Sequence, residues 1–278
     1  RQNANEIERW ETCPSKPGLG LDDDGMQVLS NNIKDVLSLN GETMCTDVKG
    51  WDWSVQDWEL IDDMEMRIIL AKAKDDSAFA HFCRINAMVA ANSVYVDPDG
   101  ICYAQTVRGI QGSGRFCTGS SNSRMRILVT CNARASAGLP ILVEGKVGAF
   151  SMGDDAVEVA LRIILEWFER FGHILGDVSF FTSLEGSEFC SQVFTSEGVA
   201  YPANPAKTVF RFLSRPKDTR EYAELWTQLS WYLRHLSGPT MEVISKLATG
   251  RVERSNKTRN DQNKGSEEEG TSSAQRGT

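Results

Sequence analysis

Polar and apolar positions recur with two different periods along this chain, and the changes of period mark its elements. Helical spacing predicts an interior helix over about 24–39 and two more between Asp57 and Asn92. In the latter stretch Leu60, Ile61, Met64, Ile68, Ile69, Ala71, Phe79, Phe82, Ile85 and Met88 recur at helical spacing and are interrupted near Asp75-Asp76. Two β-prone runs, Ser93–Val96 and Ile101–Ala104, flank the turn Asp97-Pro98-Asp99-Gly100 and predict a hairpin. A Gly/Ser-rich loop from Gly109 to Ser123 feeds a helix over Met125–Ala135. The apolar run Val147–Met152 then enters Gly153-Asp154-Asp155 and leaves through Ala156-Val157, a strand, tight turn and strand. A helix is expected from Val159 to Phe171, ended by Gly172, with strands at Val178–Thr182 and Phe189–Phe194. A last helix runs from Tyr222 to Leu236 and stops at Gly238-Pro239. Before all of these, Pro14–Gly18 is a break and Asp22–Gly25 an acidic turn. After Val252 almost no apolar residue occurs, so 251–278 is expected to be a disordered tail.

Composition changes this picture little: 41% hydrophobic and 24% charged residues in 278 are ordinary globular usage. No apolar run approaches the roughly 18 residues that a membrane-spanning helix needs, so no intrinsic anchor is expected. The seven cysteines are scattered and never form C-x-x-C, which points to reduced thiols rather than a disulfide framework or zinc site. The start at Arg1, with no apolar leader behind it, is expected of a fragment or a processed polyprotein product. A net charge of −8 opposes nucleic-acid binding, which needs clustered Lys and Arg to neutralise phosphates.

Three short stretches carry candidate chemistry. Gly153-Asp154-Asp155 delivers two carboxylates to a hairpin tip, where they are either hard-oxygen ligands for a divalent cation or a solvated acidic turn. Asp47 and Asp52 lie across a strand end in a stretch that also holds Trp51, Trp53 and Trp58, which are expected in the core. This stretch is either part of a paired-carboxylate metal cage or an amphipathic surface segment. Ser113-Gly114-x3-Thr118-x3-Asn122 places Thr118 and Asn122 one helical turn apart, facing one way. It is either a sugar-phosphate contact or a flexible Ser-rich loop with a helix cap.

Taken in order, Asp-x4-Asp, S-G-x3-T-x3-N and Gly-Asp-Asp resemble motifs A, B and C of the palm of positive-strand RNA virus RNA-dependent RNA polymerases. Gly50–Leu60, Glu8–Thr12 and Glu188–Ser191 look in particular like the sobemovirus and polerovirus group, and the resemblance covers about residues 8–210. It implies an α+β right-hand polymerase fold, an antiparallel palm sheet backed by helices. Partial fingers would occupy 1–46, the palm 47–200 with a further fingers segment over about 58–112, and a helical thumb 201–250. It implies RNA synthesis from ribonucleoside triphosphates on an RNA template, with Mg²⁺, for which Mn²⁺ substitutes. Asp47, Asp154 and Asp155, with the Val48 carbonyl, would hold the metals; Asp52, Ser113, Gly114, Thr118 and Asn122 would bind the incoming ribose; Phe189, Cys190 and Ser191 would form the primer grip. Template and nascent RNA, and other viral replication proteins, are the implied partners, at a replication complex in the host cytoplasm.

Asp52 and Asn122 favour a 2′-hydroxyl, against a reverse transcriptase or DNA polymerase palm. The chain departs from the pattern in two respects. No Lys lies between Lys146 and Lys207 to act as the motif D general acid, leaving His173 as the nearest titratable candidate. With only 46 residues before Asp47, the basic fingers element is also expected to be left out, which would account for the acidic balance. The rival expectation is a catalytically incomplete palm-thumb fragment that only binds RNA or protein.

Overall fold

The computed structural model describes residues 2–115, 117–214, 219–236 and 238–246. Helix α1 (Gln2–Glu8) precedes α2 (Asp23–Asn40), which Asp22 caps by accepting the Gly25 amide at 2.9 Å and which ends at Gly41, left-handed at φ 73°. Strand β1 (Thr43–Val48) leads through the single-turn α3 (Trp51–Ser54) into α4 (Asp57–Leu70) and α5 (Ala78–Ala91). The expected hairpin follows as β2 (Val94–Val96) and β3 (Cys102–Ala104), then α6 (Thr118–Ser136), β4 (Ala149–Met152) and β5 (Asp155–Val159). After a 3₁₀ turn at Arg162–Ile164 come α7 (Leu165–Arg170), β6 (Leu175–Phe181) and the short strands β7 (Glu188–Phe189), β8 (Gln192–Phe194) and β9 (Ala200–Pro202). Helices α8 (Pro205–Leu213) and α9 (Thr219–Tyr232) follow, and the chain is helical again over 238–246.

The fold is α+β. Strands β4, β5, β1 and β6 form an antiparallel sheet in that order, with Thr43 opposite Val159 on one side of β1 and Phe181 on the other. Alternation along β1 sends Met44 and Val48 into a core with Trp51, Val55, Leu60, Met125, Val129, Ile164 and Phe168, the inner sides of α4, α6 and α7. The free edge of β4 is covered by the Pro14–Lys16 segment: Lys16 N–H donates to the Ser151 carbonyl at 2.8 Å, and Ser151 N–H to that of Pro14 at 2.9 Å. The Lys16 ammonium is thereby buried above the Phe150 ring, donating to the Trp10 carbonyl, and burial pulls its pKa down to about 8.

The chain divides into two compact units, one of 1–190 and 194–199 and the other of 191–193 and 200–278. The second has its own core of Phe212, Leu229, Leu233 and Ile244.

Several expectations change, among them the loop expected to run to Ser123, which is helix from Thr118, and the strand expected over Phe189–Phe194, which is split into β7 and β8 by the left-handed Cys190 and Ser191. Val159 is the last residue of β5, not the start of a helix, because Ala160 N–H continues the pairing to the Glu42 carbonyl at 3.1 Å; regular helix begins only at Leu165. Gly238-Pro239 opens a helical segment instead of merely closing one, a first-turn place where proline loses no hydrogen bond. Trp53 is 76% exposed while Trp51 is buried, so the two do not share the core expected of them. The tail over 251–278 lies outside the described residues.

Candidate active site

The sheet brings the two acidic stretches together. Thr46 on β1 pairs with Ala156 on β5, so continuing that register sets Asp47 at the level of Asp155. On the other side of β1 the pairing with β6 shifts between Thr46 and Val48, so that Asp47 faces a bulge in β6 where Gly176 and Asp177 stand against one residue of β1. Gly176 faces it, and a Cβ there would stand 3.3 Å from the Asp47 Oδ2, so glycine leaves the carboxylate its room. Met152 pairs with Asp155, leaving Gly153 and Asp154 as a two-residue turn, with Gly153 left-handed at φ 69° as such a turn demands.

The electrostatics show that the acidic groups feel one another. Burial, and then the charges of Asp47 and Asp52, push the Asp154 carboxyl above its usual range, with Arg126 pulling the other way. Asp155 is pushed up to about 6 by burial and then by Asp154 and Asp47, and the Cys190 thiol donates a hydrogen bond to it. Among the described residues no group of three His, Cys, Asp or Glu side chains stands ready as a metal cage. The donor chemistry nevertheless fits Mg²⁺: half-buried carboxylates that repel one another gain most from a hard cation, and Mg²⁺ takes one or two carboxylates while keeping waters and phosphates.

The loop ahead of α6 is zipped to α3. Gln111 N–H donates to the Asp52 carbonyl and Ile110 N–H to that of Val55, both at 2.8 Å, and the Ser113 hydroxyl donates to the Asp52 carboxylate. The Ser113–Asp52 contact links the two expected ribose-binding stretches. Gly114 is left-handed at φ 88° beside it. The Thr118 hydroxyl is engaged locally by the Arg115 carbonyl at 2.7 Å. Asn122 is buried in the first turns of α6, and its Oδ1 has no hydrogen-bond partner, an acceptor left open at a place where desolvation makes that costly. Phe189 is buried edge-on to Phe150, with ring centroids 5.1 Å apart, and Cys190 and Ser191 both turn left-handed, at φ 51° and 57°. In the second unit the Ser191 carbonyl accepts from the Ala203 amide at 2.9 Å.

His173, the general-acid candidate, lies inside the core. It is wholly buried, stacked on Trp51 at 5.0 Å between ring centroids, with Nε2 2.7 Å from Glu59 and Nδ1 3.0 Å from the Ser54 hydroxyl. Both ring nitrogens are occupied, and through them His173 ties α3 to α4.

Sequence reasoning missed Ser123, Arg126, Thr46 and Glu158. Ser123 accepts the Gly153 amide at 2.9 Å and its carbonyl accepts the Ser151 hydroxyl at 2.6 Å; Arg126 donates to the Asp154 carbonyl at 3.2 Å. The signal was a single charge of each sign inside apolar runs, Arg126 between Met125 and Ile127 and Glu158 between Val157 and Val159, since buried charges occur in pairs.

Comparison with known proteins shows the family. A family model described as viral RNA-directed RNA polymerase matches residues 1–251. The RNA-directed RNA polymerase of Mushroom bacilliform virus (isolate Australia/AUS LF-1) is 42% identical over 261 residues, covering 92% of this chain and 61% of that protein. Replicase polyprotein P2AB of Southern cowpea mosaic virus is 33% identical over 261 residues, covering 88% of this chain and 25% of that protein. Protein P1-P2 of Potato leafroll virus (strain Potato/Netherlands/Wageningen/1989) is 34% identical over 265 residues, covering 88% and 23%. The chain thus spans about three fifths of the first of these relatives and about a quarter of the other two. With a strand-turn-strand that presents Asp154 and Asp155 beside Asp47, and a family match over residues 1–251, the chain belongs to the viral RNA-directed RNA polymerases.

Proposed function

We propose that this chain carries the nucleotidyl-transfer centre of an RNA-directed RNA polymerase, joining ribonucleoside triphosphates on an RNA template. The observation that carries the reading is the strand register that sets Asp47 on β1 level with Asp155 on β5, next to the Gly153-Asp154 turn. Asp47 and Asp154, with Asp155 and the Val48 carbonyl, hold Mg²⁺ or Mn²⁺. When bound, the metals activate the primer 3′-hydroxyl and neutralise the charge of the triphosphate and departing pyrophosphate.

The remaining work falls to the chain's own groups. Asp52, oriented by Ser113 and Gln111, recognises the ribose hydroxyls, with Asn122 as the second ribose-binding group. Gly114 and Thr118 shape the loop that carries Ser113. Phe189, Cys190 and Ser191 form the primer-grip turn. In this reading residues 1–46 and about 58–112 belong to fingers, 47–200 to the palm and 201–250 to the thumb.

Primer extension on a homopolymeric RNA template with Mg²⁺ or Mn²⁺ tests it. Asp154→Ala is expected to lower the rate by at least about a thousandfold, the scale on which electrostatic stabilisation of a transition state acts. Wild-type activity in that variant would sink the assignment. RNA binding without extension by this chain, while an N-terminally longer chain extends, would favour the binding-only reading instead.

A further inference from the structure

Arg126 is wholly buried on α6, yet no apolar contact requires a guanidinium there beyond its stacking on Phe168, 4.7 Å from the ring centroid. Its donors fan out to three elements. Nε reaches the Asp154 carbonyl at 3.2 Å, one terminal nitrogen reaches the Thr46 hydroxyl and, at 2.7 Å, the equally buried Glu158 on β5, and the other reaches Thr130 at 2.8 Å. Thr46 closes the set by donating to Glu158 at 3.0 Å. One helical turn earlier, on the same side of α6, Ser123 holds the Gly153 amide and the Ser151 hydroxyl.

Thr46 is the neighbour of Asp47, and the Asp154 carbonyl belongs to the acidic turn itself. A rigid planar fork thus links the Asp154 backbone carbonyl to the side-chain hydroxyl of the residue before Asp47, and Ser123 fixes the far side of the turn. We propose that Arg126 is a positioning residue that sets the separation of Asp47 from Asp154, with Glu158 balancing its charge and Ser123 as second anchor. The inference rests on the reading of those two aspartates as metal-holding groups.

The test compares Mn²⁺ binding by nucleotide-free protein, read from the electron paramagnetic resonance signal of the free ion, with primer-extension kinetics. Arg126→Lys keeps the charge but loses the fork, and Thr46→Val removes one hydroxyl while leaving the Arg126–Glu158 pair intact. Each is expected to weaken Mn²⁺ binding about tenfold or more, the usual effect of losing a partner that orients a ligand, and to lower kcat more than it raises KM for the nucleotide. Arg134→Met is the control. That side chain is just as buried on the same helix but donates to the carbonyls of Ile141, Val147 and Gly148, so its loss is expected to lower the melting temperature and leave Mn²⁺ affinity within about twofold.

Unchanged Mn²⁺ affinity in folded Arg126→Lys and Thr46→Val would overturn the proposal, as would an equal loss in Arg134→Met. If Arg126→Lys does not fold, Thr46→Val alone decides. Asp154→Ala separates the two levels: wild-type Mn²⁺ binding in that variant would remove the underlying metal assignment, whereas its loss beside an unaffected Thr46→Val would remove the positioning role alone.

Discussion

A metal-free Asp155 stays protonated up to about pH 6, because burial and the neighbouring Asp154 and Asp47 all oppose its charge. Its folded pKa lies above the unfolded value, so the stability it contributes is fully present below the ordinary carboxylate range near 4 and is lost as pH rises through 6. At pH 7.5 without metal the charged form therefore costs about 1–2 kcal/mol once partial exposure is allowed for. Asp155→Asn is expected to melt higher than wild type in EDTA at pH 7.5, with the gap closing toward pH 4. A variant no more stable than wild type at pH 7.5 would contradict the electrostatic account. The acidic turn by itself read equally as metal ligands or as a solvated turn, and these residues became legible as a set through the order in which Asp47, Asp52, Asn122 and Gly153-Asp154-Asp155 follow one another and the palm motifs that order resembles. Ser123 and Thr46 were not, because a serine or threonine has many uses and only the neighbouring strand reveals which one applies.

Helix α6 shows how an element can hide its character. Twelve of its nineteen residues are buried, polar ones among them, so no single apolar stripe marks it, and the stretch Thr118–Ser123 reads as loop until its partners are known. Gly109 controls how the loop before it meets α3. It sits at φ 122°, bridges Gln56 across the strand-like contact, and a Cβ there would lie 2.4 Å from the Val55 carbonyl oxygen. Gly109→Ala is expected to cost about 2 kcal/mol from backbone strain and clash, and to loosen Ser113 from Asp52. The check is a lower urea midpoint at unchanged slope together with a raised KM for nucleotide. A midpoint equal to wild type would mean that the loop relaxes around the added methyl.

At the scale of the molecule, each unit has a core of its own: Met44, Met125, Val129 and Phe168 in the first, Phe212, Leu229, Leu233 and Ile244 in the second. A chain built this way need not unfold in one step. Leu233→Ala, at a wholly buried position, is expected to destabilise the second unit by about 2–5 kcal/mol. Amide hydrogen exchange is the measurement: protection should fall across α9 and persist in β1 and β5, and an equal loss in both would show a single cooperative unit. The net charge of −8 sets no limit on either unit's folding; it bears on how the chain meets a polyanion.

The sequence by itself determined the two helices α4 and α5, the hairpin of β2 and β3, the acidic turn between β4 and β5, and the order of the candidate motifs. Each depends on neighbours within one or two turns of chain, so periodicity and turn chemistry suffice. Tertiary structure alone decided that Val159 is strand, since Thr43 supplies its partner from far away in the chain, and that His173 is sealed beneath Trp51. It alone revealed Arg126 as the bridge between Thr46 and Asp154. Pairing across a sheet and the satisfaction of buried charges are contacts between distant residues, and their energy exists only once the chain has closed on itself.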